Sequence, residues 1–389
     1  MLIHSLKLIN LLSFGPDATE LELGPLNVLI GPNGSGKSNF IDAIGLLKST
    51  PEDLDAAIRA GGGIADWLWR SVNVKPSQGE LEAVIEGRDG TRPLRYSLSL
   101  AKVQQFFNIS REQLEDAERG PEGHVPWTYF ANEQNEVVVK ERVGEVDMSS
   151  GFRSSGLQSV LSQLKDPTHY PQITHVGRAF ERIRLYRDWS FGRTAEVELP
   201  GKPDALNNYL TEDAANLGLV LNRLSLDVQV KQKILTALKN LYEGITDFHV
   251  NIECGRVQVF LSEGGTPFSG TRLSDGAMRY LSILAILCDP SPPPLVCLEQ
   301  PEMGLHPDIL PGLADLLGEA SERCQLIVTT HSDVLADKLT DAPESIVVCE
   351  EHDGQTQLRR LQKNELAHWL EDYSLGTLWT KGEFGGNRW

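Results

Sequence analysis

The stretch Gly31-Pro32-Asn33-Gly34-Ser35-Gly36-Lys37-Ser38 decides the fold. It fits G-x-x-x-x-G-K-S at every fixed position, and its flanks supply the context that pattern needs. Ahead of it, Leu26-Asn27-Val28-Leu29-Ile30 reads as a buried strand; behind it, Asn39-Phe40-Ile41-Asp42-Ala43-Ile44 reads as a helix. The glycines let consecutive backbone N–H groups point into one concavity that binds phosphate oxygens, and the helix start adds its positive dipole end. In that arrangement Asn33, Gly34, Ser35 and Gly36 line a cradle, Lys37 reaches the β- and γ-phosphates of ATP, and Ser38 binds Mg²⁺. The plain alternative is a glycine-rich turn without a ligand, and the agreement of motif with context weighs against it.

Composition limits what the rest of the chain can be. Its 389 residues are 40% hydrophobic, enough to bury a large core. With 54 acidic against 36 basic residues, the formal charge of −18 opposes non-specific adhesion to DNA or to an anionic membrane, though not a local basic groove. No apolar run approaches the roughly 20 residues of a membrane span. The opening Met1-Leu2-Ile3-His4-Ser5-Leu6-Lys7 alternates like a strand and lacks a signal-peptide layout. The five cysteines (Cys254, Cys288, Cys297, Cys324 and Cys349) are scattered without metal spacing or a disulfide framework, which predicts reduced, buried thiols and a cytoplasmic protein.

Periodicity divides the chain into three. Residues 1–104 hold two or three strands around the turn Phe14-Gly15-Pro16-Asp17, the loop and its helix, the break Gly61-Gly62-Gly63, and antiparallel strands over 79–102. Residues 105–250 form an inserted, partly helical lobe: 105–155 is polar and weakly patterned with a hairpin expected at 136–143, and 156–245 carries the helix signals. Residues 251–389 return to the core. Within the insertion, Arg178, Arg182, Arg184, Arg187 and Arg193 interleave with Tyr186, Trp189 and Phe191. Such a cluster is either a nucleic-acid contact or a solvated face with internal ion pairs; the second is the commoner arrangement.

Three further stretches in 251–389 carry chemistry. Ser274-Asp275-Gly276 opens an apolar helix, with Ser274 as N-cap. Leu295-Val296-Cys297-Leu298-Glu299-Gln300-Pro301-Glu302 is a short buried strand ending in acids, from which proline forces an exit. Gln325-Leu326-Ile327-Val328-Thr329-Thr330-His331-Ser332 is a strand ending at a histidine.

These four stretches, in this order, resemble the ABC-type ATPase heads of the AAA-family predicted ATPases, relatives of RecF, SMC and OLD proteins. The ending Trp379-Thr380-Lys381-Gly382-Glu383-Phe384-Gly385-Gly386-Asn387-Arg388-Trp389 looks like one subgroup of bacterial predicted ATPases. The resemblance implies an α/β P-loop NTPase with a mixed sheet core, an antiparallel β-subdomain and an inserted helical lobe. It makes Gly31 to Ser38 the Walker A loop, Glu299 the metal-side acid of Walker B, and His331 the switch histidine that senses the γ-phosphate. Gln300 stands where the family usually has its catalytic glutamate; Glu302, past Pro301, is a candidate substitute base that the proline turn is expected to aim elsewhere. Ser274, Asp275 and Gly276 would meet the γ-phosphate bound by a second subunit, so that two ATP molecules sit inside a homodimer. A Q-loop is not placed; Gln158 and Gln163 are candidates. The 237 positions from Lys37 to Ser274 contain no sustained heptad run, which predicts a head with a compact insertion and no SMC-like arm.

The implied activity is ATP hydrolysis, slow because an amide at Gln300 is a poor proton acceptor. Its output would be DNA repair, defence against phage, or control of a partner effector. Two other readings stand beside it: a nucleotide-gated scaffold that barely hydrolyses ATP, which a turnover assay separates, and the ATPase subunit of a transporter, which would co-purify with a membrane partner.

Overall fold

The computed structural model describes residues 1–389 except 72–74, 91, 105, 119–124, 144–145, 188, 190–205, 254–255 and 387–389. Its centre is a six-stranded sheet in the order Arg184–Tyr186, Leu295–Glu299, Gln325–Thr329, Leu26–Ile30, Ile346–His352, Gln355–Arg360. The first five strands run parallel and the last is antiparallel. Every residue of Leu26–Ile30 and of Gln325–Thr329 is buried, the near-continuous apolar run expected of a parallel sheet covered on both faces.

Alternate residues of these strands enter two separate cores. Val28, Ile30, Val296, Leu298, Leu326 and Val328 face the helices Leu217–Ser225, Val228–Leu241, Asp275–Leu287 and Leu310–Ser321. Leu29, Leu295, Cys297, Ile327, Val347 and Cys349 face the helix Lys37–Ser49 and a second sheet. That second sheet is antiparallel and has eight strands, in the order Thr19–Glu22, Ile3–Ile9, Gln78–Ile85, Leu94–Val103, Phe106–Asp116, Thr128–Glu133, Glu136–Val143, Val146–Arg153. A small sheet of Ile245–Glu253, Arg256–Glu263 and Thr266–Ser269 precedes the helix Asp275–Leu287.

The weak pattern over 105–155 has a physical cause. An extra residue in Phe106–Asp116, opposite Ser99 and Leu100, shifts its alternation, so Phe107 and Ile109 point inward and then Glu112 and Leu114 do. Glu112 is fully buried and accepts from Tyr96 Oη (2.9 Å), Ser159 Oγ (2.5 Å) and Val160 N (2.9 Å). A charged residue at an inward position hides a strand from hydropathy. The expected hairpin at 136–143 is one strand, Glu136–Val143, paired with both neighbours; the turn lies before it, at Gln134 and Asn135 with φ of 50° and 72°.

Among the described residues the longest helix, Val228–Leu241, has 14 residues, and no helix is long and apolar enough to cross a membrane. Cys288, Cys297, Cys324 and Cys349 are free and buried; Cys254 lies outside the described residues.

Candidate functional site

Four neighbouring strands of the central sheet end on one side and deliver Arg187, Gln300, Thr330 and Gly31 to it. In open α/β sheets ligands bind outside the carboxyl ends of the strands. The loop after Leu26–Ile30 is tightly framed. A Cβ on Gly31 would lie 2.2 Å from the Cys349 carbonyl oxygen, and one on Gly36 (φ 97°) 2.1 Å from Thr356 Oγ1. Only glycine fits either place. Thr356 Oγ1 donates to Ser35 O (3.0 Å) and lies 2.7 Å from Ser13 Oγ, so the last hairpin and the first turn brace the loop from behind. Asn33 and Gly34 are exposed at its tip.

Lys37 is buried, and its Nζ donates to the carbonyls of Gly31 and Pro32, each at 2.8 Å. Burial lowers its pKa, while Cys349, Glu299 and Glu302 act in the opposite sense. The next residue opens the acidic side of the site. Ser38 Oγ donates to Glu299 Oε1. Glu299 is also approached by Arg187, whose Nε lies 3.6 Å from Oε2 and whose Nη1 pairs with Asp42 Oδ1 at 2.5 Å. A hydroxyl and a carboxylate side by side are hard oxygen donors of the kind Mg²⁺ takes.

Gln300 ends the acidic strand with φ of 46°, and its N–H donates to Thr329 O (3.0 Å) and faces Thr329 Oγ1 (3.2 Å). A left-handed conformation in a residue other than glycine is a local cost that the surrounding bonds must hold. Met303 N closes the turn onto Gln300 O at 3.1 Å. Glu302 then comes back over the site, where Oε1 accepts from His331 N at 2.8 Å. The His331 ring is held below its ordinary pKa by partial burial and by the Lys37 cation.

Ser274, Asp275 and Gly276 lie elsewhere. Ser274 caps its helix through Ala277 N (3.2 Å), and both Ser274 and Asp275 are exposed. A Cβ on Gly276 would lie 2.2 Å from Gly304 O, so the helix start is pressed onto the turn after the acidic strand. Among the described residues no hydrogen bond joins Ser274, Asp275 or Gly276 to the phosphate loop of the same chain. Further along this helix, Arg279 is buried, lies 5.5 Å from the Trp189 ring centre and faces Arg187 O at 3.4 Å.

The arginine cluster is divided. Arg178 and Arg182 line a cavity of about 680 Å³ at the opposite ends of the strands, beside Pro25, Pro294 and Gln325. Arg184 donates to Glu181 O and Ile183 O at 2.8 Å and lies over the Tyr209 ring. Arg187 alone among its described members turns toward the phosphate loop. Phe191 and Arg193 lie outside the described residues. What aims Arg187 is the strand Arg184–Tyr186, anchored by Leu185 N to Glu212 Oε1 (2.7 Å), Tyr186 Oη to Leu210 O (2.7 Å) and Trp189 Nε1 to Glu212 O (2.8 Å).

Gln158 and Gln163 do not reach the site: Gln163 Nε2 faces Gln158 O and Ser159 O, both at 3.3 Å, in a turn beside Glu112. The Gly61-Gly62-Gly63 break closes the helix Leu54–Ala60 and contacts no phosphate-loop residue by hydrogen bond. Sequence reasoning also missed a cavity of about 330 Å³ beside the loop, lined by Ser13, Gly34, Asn39, Trp69, Arg70 and Thr356.

Comparison with known proteins agrees with this architecture. Residues 26–337 match the family model described as "AAA domain, putative AbiEii toxin, Type IV TA system". The chain belongs to this family. It is an AAA-domain protein with a P-loop ATPase fold. No curated protein sequence matches it. Among solved structures it is similar to an Smc head bound to the C-winged helix domain of ScpA, with 15% identity, a TM-score of 0.57, and coverage of 94% of this chain and 99% of that one. An Smc head with an extended coiled coil, bound to the C-terminal domain of ScpA from Pyrococcus furiosus, gives 14%, 0.57, 95% and 99%. An Smc head with a coiled coil and joint from Pyrococcus yayanosii gives 13%, 0.51, 95% and 99%. At such identities the likeness concerns the fold, which is that of an SMC-head-type P-loop ATPase.

Proposed function

We propose that this chain binds ATP with Mg²⁺, hydrolyses it slowly, and closes into a homodimer around two nucleotides. Closing and opening would drive or regulate a DNA-linked process, repair or defence against phage, or a partner effector protein. The observation that carries the reading is the convergence of Lys37, Ser38, Glu299 and His331 at neighbouring strand ends, while Ser274 stays exposed and unattached to that loop. On this reading the carbonyls of Gly31 and Pro32 stand in for phosphate oxygens at Lys37, which exchanges them for the β- and γ-phosphates. Ser38 and Glu299 would hold Mg²⁺, which neutralises phosphate charge. The cavity of about 330 Å³ beside Gly34 would take the nucleoside end. Ser274, Asp275 and Gly276 present a helix N-terminus to the phosphate of a second copy.

The amide at Gln300 favours a second reading, a nucleotide-gated scaffold with little turnover. Calorimetric titration with Mg²⁺ and ATP, followed by a phosphate-release assay, separates the two. Lys37→Ala should abolish binding, because the triphosphate loses its matched cation; wild-type affinity in that variant would remove the assignment of the loop.

A further inference from the structure

The residue after Pro301 lies where the family pattern would not look for a catalytic group. We propose that Glu302, rather than the residue at position 300, takes the proton of the attacking water. The inference rests on the nucleotide reading above and assigns its general base.

Geometry carries it. The left-handed Gln300 and the fixed φ of Pro301 reverse the chain, and the turn closed by Met303 N on Gln300 O returns Glu302 to the strand ends. There Oε1 is held by His331 N at 2.8 Å, while Oε2 is buried and has no hydrogen-bond partner among the described residues. A carboxylate oxygen enclosed without a donor is costly and calls for a ligand. The bond to His331 N places the carboxylate at the end of the strand Gln325–Thr329, next to the strand Leu26–Ile30 that leads into the Lys37 loop. Glu302 is therefore tied to His331, a group that would flank the γ-phosphate. The other acids of the site are engaged: Glu299 by Ser38 and Arg187, Asp42 by Arg187. Gln300 offers only an amide.

The step balances without another reactant. The water oxygen forms a bond to the γ-phosphorus as the bond from that phosphorus to the bridging oxygen breaks. The electron pair leaves with ADP. The water proton passes to Glu302 Oε2 and from there to solvent or to the released phosphate.

A purely structural Glu302 would only tie down the His331 loop. Glutamine at 302 keeps an acceptor for His331 N and removes the base, so Glu302→Gln separates the two roles. On the full chain with Mg²⁺, single-turnover hydrolysis should fall by about 10²–10⁴-fold, the usual effect of a lost general base. Affinity for ATP should stay within about threefold, which is under 1 kcal/mol. Glu302→Asp, which withdraws the carboxylate by one methylene, should retain intermediate activity. Hydrolysis by Glu302→Gln at the wild-type rate would overturn the assignment while leaving ATP binding in place. Wild-type protein that binds no ATP would instead take down the nucleotide reading on which it rests.

Discussion

Arg187 Nε lies 3.6 Å from Glu299 Oε2, so a guanidinium faces the acid proposed to hold the metal. Its Nη1 is spent on Asp42 at 2.5 Å. Removing this cation leaves two carboxylates beside the incoming triphosphate. Arg187→Gln should then weaken ATP binding without Mg²⁺ by about tenfold, roughly 1.4 kcal/mol. With saturating Mg²⁺ the loss should shrink to about threefold or less, because a divalent ion neutralises the same carboxylate. Titrations at both conditions check this, and an equal loss in the two would show that Arg187 does not act through Glu299.

The His331 ring gives a pH dependence of known sign. Its folded pKa lies below the ordinary 6.5, so the unfolded chain takes up the proton first as pH falls. The stability contributed by the neutral ring is complete above that value and is lost as pH drops through it. His331→Asn should narrow the difference in Tm between about pH 7.5 and about pH 5.5. The residue is only partly buried, so the change should be small; a wider difference in the variant would reverse the sign argued here.

Glu112 tests the fold apart from the site. It accepts from Tyr96, Ser159 and Val160 in full burial and ties the turn at 154–163 to the second sheet. Glu112→Ala strands three donors and should lower unfolding stability by about 2–4 kcal/mol. Chemical denaturation measures it, and a loss under about 0.5 kcal/mol would mean the network is dispensable.

What the sequence disclosed followed from contiguity. Gly31 to Ser38 carries its own strand, glycines, cation and helix within one run, so loop and helix were readable before any tertiary contact. Glu299 and His331 ended apolar runs whose strand character was plain. Arg187 was not readable as a site residue, because the three-residue strand that aims it gains its position from parallel pairing with Val296, Cys297 and Leu298, more than a hundred residues away. Glu302 was visible as a residue, but its direction depends on the left-handed Gln300, which no propensity announces. Strand Phe106–Asp116 was hidden by the bulge and by Glu112, and Thr356 behind the loop is a long-range contact with no local signature.

Ser274 is exposed at a helix start that Gly276 fixes against Gly304. If a second copy's phosphate docks there, Ser274→Arg should block nucleotide-dependent association by bulk at close approach. ATP affinity of the single chain should remain within about threefold, measured by titration at low protein concentration. An unchanged dimer would make Ser274 a helix cap and nothing more.

The central claim is that ATP closes two heads on each other. Light scattering of the eluted protein with and without ATP and Mg²⁺ tests it most directly, on Glu302→Gln to hold the nucleotide intact. The eluted protein should have a mass near 43.0 kDa without nucleotide and twice that with it, returning to the single-chain value in Ser274→Arg. A mass indifferent to saturating ATP would contradict it.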